Sequence, residues 1–246
     1  MEVHTHSHAG KKKWTEYLWE FLMLFLAVFC GFLAENQREH YVEHLREKQY
    51  IRSLISDIAT DSANINRMLG WFNNIQKNCD SVLNDLGEDN KYYSRKKSSH
   101  FRRVVNGYPD YIYTDRTMQQ LKNAGGLRLI RNLSAADSII GYDAAVRDAL
   151  LEEETIDKYW QVLNEFMVKN FSTRRFAEQR RKNTDEEIEK MKMNFWLISD
   201  SKDFDQLYNL VDYYRAVIKV YSGLLTDVKV KGTRLINLLN KEYRLK

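Results

Sequence analysis

The spacing with the most catalytic character in this chain is His40-Tyr41-Val42-Glu43-His44. Two histidines one helical turn apart can hold zinc while the glutamate between them activates a water, the H-x-x-E-H arrangement of inverted zinc peptidases. That chemistry also needs a third protein ligand and an enclosing cleft. These five residues instead follow an apolar run by about two helical turns, among charged neighbours, so the solvated face of a juxtamembrane helix accounts for them more simply. His4, His6 and His8 alternate in the N-terminal head and could chelate a transition metal weakly, but a disordered cytoplasmic tail is expected ahead of a metal site. No catalytic, cofactor-binding or metal residue is therefore assigned, and no cofactor is expected.

Nucleophilic and phosphate-binding motifs point the same way. The chain holds no G-x-S-x-G, Walker loop, dinucleotide fingerprint or C-x-x-C. Its 2 cysteines, Cys30 in the apolar run and Cys79 alone on an amphipathic stretch, form neither a disulfide framework nor an activated thiol. The expectation is a protein that is not an enzyme. With 38 basic and 34 acidic residues interspersed to a net +4, it also lacks the electrostatic footprint of a nucleic-acid binder.

Two basic clusters remain, one at 95–103 and one at Arg174, Arg175, Arg180, Arg181 and Lys182, suited to phosphate-rich glycolipids or an acidic partner but ordinary for solvated turns. Tyr92, Tyr93, Phe101, Tyr108, Tyr111 and Tyr113 gather around the least regular stretch, and capping of a bundle end is expected of them ahead of a ligand pocket.

The elements that must position these residues begin with an anchor. Tyr17 to Ala34 is apolar except for Glu20, and Phe21 to Ala34 carries no charge and no polar face. As a helix the run spans roughly 27 Å, enough to cross a bilayer core. Glu20 lies in its first turn, where a side chain snorkels toward headgroups, and Trp14, Tyr17 and Trp19 cluster at the same end. Lys11, Lys12 and Lys13 precede the run, whereas both signs follow it, which orients the N-terminus to the cytoplasm and the remainder outward. No small-x-small cleavage site follows, so an uncleaved signal anchor is expected.

Beyond Ala34 apolar residues recur every three or four positions from Tyr41 to Leu86, and Gly87 ends the pattern. An irregular stretch over 91–115 contains Asn106-Gly107 and Pro109, the single proline. Thr114 or Asp115 is expected to cap a short helix through Leu121, Gly125-Gly126 to break the chain, and Ser134 to Asp137 to open a helix of about forty residues. Thr184 with Glu187 makes a second capping box before Ile188, Met191 and Phe195, and Ser201 caps a last helix with a possible kink near Lys231. Long amphipathic helices joined by short connections predict an all-α, elongated, antiparallel bundle of three or four helices with coiled-coil character. The domain plan is a His- and Lys-rich head at 1–16, a transmembrane anchor at 17–34 and an extracytoplasmic bundle at 35–246.

KKWTEYLWEFLMLFLAVFCGFLAEN, then REKQYIRSLISDIATD, and QQLKNAGGLRLIRN before the long third helix resemble a widespread family of membrane-anchored proteins of Bacteroidetes bacteria, uncharacterised in function. The resemblance implies a single N-terminal span and a helical remainder, and it brings no catalytic residues. The functional expectation is a cell-envelope interaction or scaffold protein of the inner membrane, touching lipid through 17–34 and binding a protein partner or a second copy of itself. The alternatives are an extracytoplasmic small-ligand sensor, which would have to signal through a partner because only about sixteen residues face the cytoplasm, and a membrane-tethered metal hydrolase built on His40, Glu43 and His44.

Overall fold

A computed structural model describes residues 13–87, 95–123, 125–184, 187, 197 and 201–245. Helix α1 covers Trp14–Gly87, α2 Arg95–Val104, α3 Arg116–Asn123, α4 Leu133–Asn170, α5 Thr173–Lys182 and α6 Ser201–Tyr243, with a 3₁₀ turn at Gly126–Leu129. The fold is all-α. Two compact units divide the chain, Met1–Tyr50 and Ile51–Lys246.

In the first unit the apolar run is helical, and every described residue from Lys13 to Tyr41 is exposed. Phe21, Phe25 and Phe29 stack along one side of the helix, with ring centroids 6.3 and 5.9 Å apart. An 18-residue window here has mean hydropathy 2.0 and no buried residue, so this is a helix long and apolar enough to cross a membrane.

The second unit is built on three heptad seams. Along α1, Ile51, Leu54, Ile58, Ile65, Met68, Phe72, Ile75, Cys79 and Val82 are buried at alternating three- and four-residue steps, and the one polar side chain in that series is Asp61. Along α6 the series is Leu207, Val211, Tyr214, Ile218, Tyr221, Leu225, Val228, Leu235 and Leu239, with buried Gly232 completing the rhythm. In α4, Ala135, Ile139, Tyr142, Val146, Ala149, Ile156, Leu163 and Met167 follow the same step, interrupted by Glu153 and Trp160. A 3.5-residue repeat keeps each seam facing its neighbours, which is why helices of 38 and 43 residues pack without a breaker.

Cross-helix contacts set the directions. Asp80 meets Arg215 and Phe72 meets Tyr221, so α1 and α6 are antiparallel. Asn132 meets Glu242 and Tyr159 stacks on Tyr213, so α4 and α6 are antiparallel as well. It follows that α1 and α4 run parallel to each other, whereas short connections predicted antiparallel neighbours throughout. Parallel neighbours require a return crossing, and residues 105–115 supply it as an extended strap. Trp71 Nε1 donates to the Gly107 carbonyl at 3.0 Å and the Thr114 N–H donates to Asp61 at 2.8 Å, so the strap descends α1. Trp160 Nε1 donates to the Val105 carbonyl at 3.2 Å and the Tyr111 N–H to Glu153 at 2.8 Å, so it descends α4 too.

Local signals worked mostly as chemistry dictates. Gly87 ends α1, and Gly125, at φ 66°, takes the left-handed turn that admits the 3₁₀ segment. Thr184 and Glu187 form the reciprocal box: the Thr184 N–H donates to the Glu187 carboxylate at 2.7 Å and the Glu187 N–H to Thr184 Oγ1 at 3.3 Å. Ile188, Met191 and Phe195 lie outside the described residues. At α4 the cap is Asn132, whose side chain accepts the Ala135 N–H at 3.0 Å and whose carbonyl accepts the Ala136 N–H at 3.0 Å, so the helix opens two residues earlier than the predicted Ser134 box. The helix of α6 runs unbroken through the expected kink near Lys231, and Gly232 has a packing role instead: a Cβ there would lie 2.9 Å from Ile58 Cγ2 and 3.1 Å from the Tyr142 ring.

Candidate functional site

Among the described residues the H-x-x-E-H constellation resolves into two local pairs, both within the first unit. His40 Nδ1 lies 3.7 Å from Glu43 and His44 Nδ1 lies 3.2 Å from Glu47, each one turn along the helix. The His40 and His44 side chains are about half exposed, at 54% and 47%. No group of three or more metal-ligating side chains forms among the described residues. His4, His6 and His8 lie outside them, as do Lys11 and Lys12 and the side chains of Arg95, Lys96 and Lys97. Arg174, Arg175, Arg180, Arg181 and Lys182 are exposed on α5, with Arg174 paired to Glu178 at 2.9 Å.

What the fold assembles instead is a set of carboxylates that grip the strap and α3. Asp57, 2% exposed, accepts from Arg116 Nε at 2.8 Å on one oxygen and from Thr117 Oγ1 at 2.5 Å and the Thr117 N–H at 3.3 Å on the other. Asp61, 1% exposed, accepts from the Thr114 N–H and from the Tyr142 hydroxyl at 2.9 Å. From α4, Glu153 accepts the Tyr111 N–H, Asp157 accepts the Tyr108 hydroxyl at 2.5 Å, and Asp143 takes Lys122 at 2.6 Å and Arg147 at 2.5 Å. Extended backbone in a bundle interior leaves N–H groups without helical partners, and these side chains supply the acceptors.

Burial shifts two of these carboxyls, Asp61 and Glu153. It pushes the Asp61 carboxyl above the usual aspartate value, against the Thr114 and Tyr142 hydrogen bonds that favour its anion. Glu153 is raised for the same first reason. The tyrosines Tyr111, Tyr113, Tyr142, Tyr214 and Tyr221 are held as phenols by desolvation. Among the described residues the buried hydroxyls of Tyr113 and Tyr214 find no hydrogen-bond partner, whereas Tyr111 lies toward Tyr142 and Tyr221 toward the Glu153 carboxylate. Cys79, wholly buried in the α1 seam, has its thiol pushed up to about 12 by desolvation, which removes the thiolate at neutral pH.

Capping of the bundle end was expected of the aromatic cluster, but among the described residues Tyr108 lies along the side groove between α1 and α4: its ring packs on Phe72 at 5.4 Å and its hydroxyl donates to Asp157, while the buried Tyr111 gives its backbone N–H to Glu153. Phe101 is buried, Arg102 lies 4.3 Å over the Phe176 ring, and Tyr92 and Tyr93 are outside the described residues. Sequence reasoning missed Asp57, Asp61 and Glu153. The available signal was a carboxylate at a seam position between apolar neighbours, as in Ile58, Asp61, Ile65 and in Ala149, Glu153, Ile156.

The class these features define is an all-α helical bundle with one N-terminal helix apolar enough to be a membrane span or signal. No protein family, curated protein or solved structure matches the chain.

Proposed function

We propose that this chain is a membrane-anchored interaction or scaffold protein of the cell envelope, with residues 17–34 in the inner membrane and the bundle on the periplasmic side. One observation carries the reading: an apolar helical run that stays fully exposed, with Phe21 at 64%, Leu24 at 69% and Phe32 at 67%. An uninterrupted apolar surface of that length is unfavourable in water and favourable in lipid. Lys11 to Lys13 on one side of it and mixed charge on the other favour a cytoplasmic N-terminus. The resemblance to membrane-anchored Bacteroidetes proteins belongs to the same proposal. The scaffold role draws support from the heptad-packed bundle, an architecture that presents long rigid faces to partners or to a second copy.

Topology reporters fused before Lys11 and after Lys246 test the anchor. Opposite-side signals and resistance to alkaline extraction are expected, and same-side signals or release by carbonate would overturn it. Crosslinking in intact cells followed by detergent purification tests the scaffold role; absence of both a reproducible partner and a self-crosslink would count against it.

A further inference from the structure

A surface crevice of about 430 Å³ opens in the second unit where α1 meets the end of α2, lined by Trp71, Asn74, Lys77, Asn78, Arg103 and Asn106 among others. Its charge among the described residues is one-sided: Lys77 and Arg103 line it and no carboxylate of those residues does. Neither cation forms an ion pair or side-chain hydrogen bond among the described residues, unlike Arg116, Lys122 and Arg215, which are neutralised by aspartates. Trp71 is 44% exposed, and its Nε1 is tied to the Gly107 carbonyl at 3.0 Å, so the indole is held in one pose before any ligand arrives. Gly107 reaches that pose through φ 81°, a conformation favouring glycine. The amide of Asn78 spends one donor on the Asn74 carbonyl at 2.7 Å and keeps its oxygen free, while the Asn74 and Asn106 amides bond nothing among the described residues.

A pinned aromatic face, uncommitted amides and two uncompensated cations are the complement of a polyhydroxylated ring bearing negative charge. The indole covers the apolar C–H face of a sugar, amides read its hydroxyls, and Arg103 with Lys77 takes an oxyanion. A neighbouring hollow of about 390 Å³ shares Trp71 but carries Asp110 alongside Arg67, so its charges offset and it lacks the same selectivity. We propose that the crevice beside Trp71 binds an anionic saccharide, a sugar carrying carboxylate, sulfate or phosphate.

Calorimetric titration of the full chain in detergent micelles at low salt tests this, using galacturonic acid tetramer, a sulfated tetrasaccharide, glucose 6-phosphate, neutral cellotetraose and inorganic phosphate as probes. Saturable binding of at least one charged sugar is expected, weakened about tenfold by combined Lys77→Glu and Arg103→Glu and by added salt. Oligosaccharide binding without glucose 6-phosphate binding would place the natural source in a polymeric glycan, and the reverse in a free sugar phosphate; either supports the proposal. Trp71→Ala should weaken binding at least as much, and Trp71→Phe, which keeps a ring but loses the N–H, should fall between it and the native chain. Circular dichroism melts of the charge-reversed protein should match the native chain, since both residues are at the surface. The proposal is overturned if no charged sugar saturates, if cellotetraose binds equally well, if inorganic phosphate competes as strongly as the sugar anions, or if the double reversal leaves affinity unchanged.

Discussion

Residues 17–34 and 51–87 belong to one helix and both carry many large apolar side chains, yet those side chains meet opposite fates. In the first stretch they cover the whole circumference and all are exposed; in the second the seam residues from Ile51 to Val82 fall every three or four positions and are buried to within a few per cent. The quantity of apolar surface does not separate the two. Its angular distribution does: a stripe can be covered by two neighbouring helices, whereas an all-round apolar cylinder needs a solvent that is itself apolar.

Placing the same charge in each stretch is the most direct way to break that contrast. Leu54→Arg puts an unpaired cation in the α1 seam, where Leu54 is 2% exposed, and should cost more than ~4 kcal/mol, unfolding the bundle while the chain stays in the membrane fraction. Leu26→Arg, at the middle of the apolar run, should cost about 3 kcal/mol of insertion and release the chain from carbonate-washed membranes with the bundle's helical melt unchanged. If both variants lose the same property, the contrast fails.

The strap offers the next sharpest handle. Asp57→Ala strands the buried Thr117 donors, and a loss of about 2–3 kcal/mol is expected in urea unfolding followed by circular dichroism in mild detergent; the largely exposed Arg116 adds little to that figure. Gly232→Ala is smaller, about 1–3 kcal/mol, because Ile58 and Tyr142 must shift by tenths of an ångström to admit a methyl group. Gly223→Ala, where a Cβ meets nothing within 4 Å, should instead raise the melting temperature slightly.

The smallest effect is a pH slope. Asp61 is raised above its ordinary value of 3.8, so the folded chain binds its proton more tightly than the unfolded chain. The resulting stability is fully present below about 3.8 and is lost as pH rises through the higher folded-state value, with Glu153 acting in the same direction. Asp61→Asn, which keeps an acceptor for the Thr114 N–H and a donor toward the Tyr142 oxygen, should flatten this part of the urea midpoint between pH 4 and 7. An unchanged slope would show that Asp61 ionises as freely in the folded chain as in the unfolded one.

Much of this architecture was legible because its signals are local. The three-four spacing, the Gly87 stop and the Thr184–Glu187 box each depend on residues within one or two turns, and each is present in the fold, although the buried stripe starts at Ile51 and leaves Tyr41 and Leu45 exposed. The Asn132 cap was misplaced by two residues because Ser134 offers an equivalent oxygen, and only the backbone trajectory selects between them. The candidate sites fared differently. His40, Glu43 and His44 share a helix face by spacing alone, but a ligand set requires side chains from elsewhere in the chain, and spacing cannot supply them. The strap carries no local periodic signal because it makes its hydrogen bonds to α1 and α4, as far as 55 residues away, instead of to itself.

By itself, the order of side chains determined where helices form and which faces are apolar, because turn geometry, capping and periodicity act over a few residues. Tertiary structure alone decided that α1 and α4 run parallel, that Asp57, Asp61 and Glu153 hold the returning strap, and that Lys77 and Arg103 stand beside Trp71 without an ion-pair partner among the described residues. Those outcomes depend on which seam meets which. A heptad stripe specifies that burial occurs and leaves the partner and its direction to the packing of the whole bundle.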